Sequence, residues 1–570
     1  MKHTLKSTLR SEAYLIGLVF SAFLPMTHTN ALGDEQIMSA ARDFIQEYQA
    51  TVRPLNTAVG HAFWLANTTG KDEDFAAKEA LENRLNEMLS SQEAFARLKS
   101  IKEGSPKDPH LARQIDLLYL TYLGKQVDLD ILKRISSKEN TIEKTFNAFR
   151  ANVQGESYTD SQVRQKLQDS KDSSERQQVW EACKEVGKKV ADDLRELVKL
   201  RNQAARLLGF DDYHAMQLVL NEQSQSQVLA LFDDLDALTR EPFSRVKKEI
   251  DQKLAEEYGL SLEELQPWHY HDPFFQEPPQ VYDVDLNAPF VNSDILKVCQ
   301  EFYAGIGLPI NDVIEQSDLY EKPKKSPHAF CIDIDREGDV RVLANIKPNE
   351  YWMSTMLHEL GHAVYSSKYI SSELPYILRS DAHTLCTEGV AMMFERFSTQ
   401  ADWLGQYGVY VADPVKYTAA GRRLRRDKLL IFSRWCQVMF RFEVELYKDP
   451  DQDLSKLWWD LVEKYQLVRR PEGRHAPDYA SKIHIVTSPA YYHNYMMGEL
   501  FACQLHSSMV QELQISNDPT DAFYTNNPAV GEFMIRKVFA PGLTLPWNEL
   551  TQYATGEELN AKAFAAELQH

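Results

Sequence analysis

Residues 177–208 contain no proline and a single glycine, and their apolar side chains return at helical spacing: Val186, Val190, Leu194, Leu197 and Val198. A run of that length and period predicts a long amphipathic helix, closed by Gly209. The rest of the chain shares the pattern. Only 23 glycines and 24 prolines punctuate 570 residues, too few breakers for an architecture of strands and turns. Residues 34–67, 71–102 and 110–123 read as further helices, and helices resume at Pro348 and continue to the end. Two stretches differ. Residues 267–289 are rich in proline and aromatics and read as an extended connector. Residues 331–345 alternate polar and apolar side chains on either side of Glu337-Gly338, which predicts a short hairpin. The expectation is a mostly α-helical unit with one small β-element and no internal linker.

The charge balance narrows the function. The chain has 83 acidic and 63 basic residues, a net charge of −20. Nucleic acid is therefore not an expected partner, since phosphate binding needs a basic footprint. Lys2, Lys6 and Arg10 precede an apolar run from Ala13 to Met26, followed by the small residue Ala31. This pattern predicts a signal peptide over residues 1–31 and a single catalytic domain over 32–570, secreted or periplasmic after cleavage near Ala31. No later apolar run is long enough to span a membrane. Six widely spaced cysteines form no CxxC pair and read mostly as small buried hydrophobes.

The chemistry concentrates at His358-Glu359-Leu360-Gly361-His362. On a helix, residues four apart share a face, so the two imidazoles can grip one metal ion. Glu359 adjoins the first of them, placed to take a proton from the attacking water. Zinc, one per chain, is the metal this pattern implies. A catalytic zinc needs a third protein ligand, and Glu373, Glu388 and Glu395 are the downstream candidates. Glu388 is favoured because it sits in an apolar run, where a carboxylate is costly unless paired or metal-bound. Glu373 lies in a polar loop, and Glu395 has Arg396 beside it as a natural partner. His383 reads as a supporting or core histidine. Trp268-His269-Tyr270-His271 reads as loop chemistry.

The sequence resembles the angiotensin-converting enzyme family, the peptidyl-dipeptidase A metallopeptidases, over nearly its whole mature length. His328-Ala329 stands thirty residues before His358, as the family's substrate-backbone pair does. Lys482-Ile483-His484 followed by Tyr492 and Tyr495 resembles its Lys-x-His and tyrosine cluster, and Trp458-Trp459 and Pro546-Trp547 match further segments. The resemblance implies a two-lobed helical fold around a deep central cleft, with the β-element beside the zinc helix. It implies release of dipeptides from oligopeptides with a free C-terminus. It also implies roles: His358, His362 and Glu388 for zinc, Glu359 as general base, and His484 and Tyr495 for the oxyanion. His328 and Ala329 would hold the substrate backbone. Lys482, Tyr492 and Gln276 would hold its terminal carboxylate.

Some positions depart from the family. The tyrosine pair sits one residue late, so Tyr491 competes with Tyr492. Met392 replaces an aspartate that supports a zinc histidine, so that support must come from elsewhere. Asn494 and Val462 replace chloride-binding arginines and Lys184 replaces a third basic position only in part, which speaks against chloride activation in the usual form. Glu499 takes an apolar or aromatic position and, facing the cleft, would favour a basic substrate side chain. Related helical peptidases act as oligoendopeptidases or carboxypeptidases, and an inactive peptide-binding homologue is the remaining alternative.

Overall fold

The computed structural model describes residues 33–279 and 285–568, so the expected signal peptide lies outside the described residues. The fold is mostly α-helical. Helix α1 (Asp34–Thr69) is 36 residues long and ends at Gly70, in the left-handed region at φ 62°. The predicted stretch 71–102 is two helices, Asp72–Leu89 and Gln92–Glu103, because Ser91 starts a new one by accepting a hydrogen bond from the Ala94 amide. A two-stranded hairpin, β1 (Ala151–Val153) and β2 (Glu156–Tyr158), interrupts the helices that follow. Helix α2 (Ser173–Leu207) buries Val186, Val190, Leu194, Leu197 and Val198, the residues whose period predicted it.

The predicted hairpin is present as β3 (Phe330–Asp333) and β4 (Val340–Leu343), antiparallel, with Phe330 opposite Leu343. It packs against α3 (Glu350–Val364), which carries both histidines. Asn349 caps α3, its side chain accepting from the Trp352 amide at 2.9 Å. Helix α4 (Thr384–Glu395) follows, capped by His383, whose Nδ1 accepts from the Leu385 amide at 3.0 Å. Helices α5 (Pro414–Lys448) and α6 (His493–Glu512) complete the frame around it.

Two glycines let α4 sit tightly between α3 and α6. A Cβ at Gly361 would lie 2.7 Å from the Ala391 Cα, and one at Gly389 would lie 2.8 Å from the Gly498 carbonyl oxygen. Both approaches are closer than side chains tolerate, so glycine is what permits these crossings. No cysteine pairs in a disulfide; four of the six are fully buried. Among the described residues, no helix is long and apolar enough to cross a membrane.

Candidate metal centre and its cavities

The close crossing of α3 and α4 gathers His358, His362 and Glu388, whose ligand atoms all lie within 4.8 Å of one another. The two Nε2 atoms are 3.1 Å apart. Glu388 Oε2 is 3.6 Å from His358 Nε2 and 4.0 Å from His362 Nε2. Each ring is also fixed from behind. His358 Nδ1 meets Glu395 Oε2 at 2.7 Å, and His362 Nδ1 meets the Thr387 hydroxyl at 2.8 Å. With both Nδ1 atoms engaged, both Nε2 atoms turn towards the carboxylate. Two nitrogens bound at about 2.0–2.1 Å to one tetrahedral ion lie ~3.3 Å apart, so this donor set fits zinc.

Glu395 is a correction to the sequence reading. Neighbouring residues on a helix point about 100° apart, so Glu395 and Arg396 do not pair. Arg396 instead reaches Glu567 at 3.2 Å. Glu395 lies two turns beyond Glu388 on the same face, and it supplies the support that Met392 cannot. Burial opposes its charge, but the hydrogen bond to His358, with the charges of His358, Lys428 and Arg425, holds it down at about 2. Burial likewise opposes the charged form of His358, but its bond to Glu395 and the surrounding carboxylates raise it to about 9. Burial, with the charge of His358, lowers His362 to about 3.

Glu359 is buried on the same turn as His358. Desolvation lifts it to about 7, with the charge of His358 and a backbone hydrogen bond from Cys331 on β3 pulling the other way and Glu388 and Glu395 adding to the rise. A carboxyl poised there can both take and give a proton near neutrality.

Of the remaining residues named from the sequence, five fall on two cavities, and the tyrosines stand between Lys482 and Glu388. His328 and Ala329 line one with His358, Glu359 and Glu395. Gln276, Lys482 and His484 line the other. In the second, Lys482 Nζ donates to Gln276 Oε1 at 2.7 Å across 206 positions of sequence. Lys482 is buried, and desolvation lowers it to about 8 despite the nearby Asp272. Its ammonium stands 5.7 Å from the centre of the Tyr492 ring. Desolvation, and then the charge of Lys482, hold His484 neutral at about 4. Tyr492 contacts the His484 and Tyr495 rings, with centroids 5.5 and 5.6 Å away. Tyr495 feels the charge of Glu388, and so does Tyr491, which packs edge-on against it. Tyr492 is thus the tyrosine beside Lys482, while Tyr491 lies within reach of the charge of Glu388.

Other motifs resolve simply. His269 meets the Ser173 hydroxyl at 2.7 Å and His271 meets Tyr258 at 2.8 Å, so the two rings serve separate partners. Glu499 lines the His358 cavity, but Lys428 and Arg425 share that wall and supply positive charge beside it. Sequence reasoning passed over Thr387 and Lys428. Thr387 directly precedes Glu388, the signal that could have found it.

A model of the family described as angiotensin-converting enzyme matches residues 35–567. The chain belongs to the angiotensin-converting enzyme family. It is 22% identical over 412 residues to the angiotensin-converting enzyme of Sus scrofa, covering 66% of this chain and 31% of that protein. The Bos taurus enzyme is 21% identical over 416 residues, with the same two shares. The Rattus norvegicus enzyme is 21% identical over 401 residues, or 65% and 30%. The chain therefore spans about a third of the length of the curated relatives it matches. Family membership accounts for the mostly helical fold and for a His-His-Glu group suited to a metal.

Proposed function

We propose that the chain is a secreted or periplasmic zinc peptidyl-dipeptidase, a single catalytic unit behind a signal peptide, that removes dipeptides from the free C-terminus of oligopeptides. The observation that carries this reading is the hydrogen bond from buried Lys482 to half-buried Gln276, connected to the His358, His362 and Glu388 group through the neighbouring rings of Tyr492 and Tyr495. A buried cation with a neutral donor beside it suits a terminal carboxylate. A peptidase anchored on that carboxylate cuts at a fixed distance from the chain end.

His358, His362 and Glu388 would hold zinc, with Glu395 and Thr387 fixing the two imidazoles. When bound there, zinc supplies a Lewis acid that acidifies water and polarises the scissile carbonyl. Glu359 accepts the proton of the attacking water on its carboxylate and passes it to the leaving amine. Neutral His484 and the Tyr495 hydroxyl donate hydrogen bonds to the carbonyl oxygen as charge develops on it. Lys482, Gln276 and Tyr492 hold the terminal carboxylate, while His328 and Ala329 align the peptide backbone.

Mass spectrometry of peptide digests, with and without chelator, tests the reading. Successive losses of two C-terminal residues, stopped by chelator, are the expected result. Losses of single residues would mean a carboxypeptidase, internal cuts an oligoendopeptidase. No chelator-sensitive cleavage, with no bound zinc, would mean a peptide-binding homologue.

A further inference from the structure

In a chain of net charge −20, residues 422–428 run Arg-Arg-Leu-Arg-Arg-Asp-Lys. They lie on α5, where Arg422, Arg425 and Arg426 share a face at helical spacing. With Arg423 and Arg396 they line a cavity of about 580 Å³, separate from the one holding Lys482 and touching the His358 cavity along a common wall. That is room for many waters, at roughly 30 Å³ each.

Five guanidinium groups face three carboxylates here, Glu249, Asp518 and Glu567. Glu567 is shared, 3.2 Å from Arg396 and 3.3 Å from Arg425. Glu249 meets Arg423 at 2.9 Å. Behind the wall, Asp427 accepts from Arg426 Nε at 3.0 Å, so five guanidinium groups meet four carboxylates and a small excess of positive charge remains. Arg396 has donors to spare. Its side chain is only 5% exposed, and its buried Nε has no hydrogen-bond partner. A cavity lined by guanidinium forks suits an acceptor with several oxygens. The Thr399, Gln400 and Thr520 side chains in the same wall add neutral polar groups. Arginine is also better suited than lysine to this task, because its planar fork engages two oxygens at once.

We infer that the arginine-lined cavity on α5 binds a multivalent oxyanion of the phosphate class, at a site distinct from the metal centre. The Arg422–Arg426 face and Arg396 supply the donors, and the inference stands whether or not the chain acts as a dipeptidase. Because Arg396, Thr399 and Arg425 line both cavities, the anion would sit one wall away from the His358–Glu395 pair.

Isothermal titration of sodium phosphate into the protein tests this, with sodium chloride at matched ionic strength as control. Metal-loaded and chelator-treated protein are compared, since phosphate can also bind a metal. The expected result is one phosphate per chain on both forms, with chloride failing to compete. The double variant Arg422→Gln/Arg426→Gln should weaken binding at least about tenfold, and Arg426→Lys about threefold, since it keeps charge but loses the fork. Circular dichroism confirms that each variant is folded, and Arg426→Lys serves if the double variant is not. Equal competition by chloride, binding seen only on the metal-loaded form, or folded variants that bind as tightly as the parent would each overturn the inference. In that case the arginines serve only in the ion pairs that Arg396 and Arg425 make with Glu567 and Arg423 makes with Glu249.

Discussion

The metal centre and the Lys482 cavity are built on opposite plans. The centre comes from two helices consecutive in the chain, α3 and α4, joined by residues 365–383, which hold only the 3-10 turn Tyr376–Leu378. Its histidines are fixed by hydrogen bonds from α4 itself, at Glu395 and Thr387. The Lys482 cavity is assembled from distant segments, with Gln276 in the connector and Lys482 just before a four-residue helix. Its charge is held against burial rather than by a carboxylate partner. On the proposed function, the site that would do the chemistry is local and braced, while the site that would measure the substrate is dispersed and electrostatically tense. Damage to the first should therefore appear in kcat or metal content, and damage to the second in KM.

Glu359→Gln makes the sharpest test. It should retain zinc and KM while kcat falls by between about 10²- and 10⁴-fold, the usual worth of a positioned general base. If KM rises instead, the division of labour fails. Glu395→Ala should weaken zinc binding by about 10–100-fold, measured by competition with a chromogenic chelator. Unchanged affinity would return the support of His358 to some other group. Lys482→Ala should raise KM for free-C-terminus peptides by roughly 10–100-fold through loss of a charge-assisted hydrogen bond, and barely affect amidated ones. Equal loss on both would break the dipeptidase reading. The same lysine sets a pH signature. Burial depresses it to about 8, so the ammonium form is present below that value and lost above it. KM should rise as pH passes 8, towards the value of the alanine variant, with kcat less affected. Thr387→Val removes one neutral hydrogen bond behind His362 and should cost about fivefold in zinc affinity.

Much of this was legible in the sequence where the cause is local. The period of residues 177–208, the Asn349 start of α3 and the β3–β4 hairpin all depend on neighbours a few positions apart. The split at Ser90-Ser91 was missed because both halves keep helical patterning and only the Ser91 cap divides them. The β1–β2 hairpin was missed because each strand has three residues, too few for alternation to register. Glu395 was misread by adjacency to Arg396, although seven residues from Glu388 returns to the same helical face. The Lys482–Gln276 contact has no local signal at all. It entered only through family resemblance, since nothing in either segment states that they meet.

The glycine at 361 has a consequence for how metal and fold depend on each other. With its missing side chain already setting how near α4 can come, the position of Glu388 relative to the histidines is fixed by packing before any ion arrives. An ion bound only by the closed arrangement stabilises it by mass action, by about 2.7 kcal/mol when free zinc exceeds Kd a hundredfold. The same ion gives nothing to a chain in which the two helices have parted. The melting temperature of this protein should therefore report free zinc concentration, making α3 and α4 a clasp whose strength is set by the medium around it.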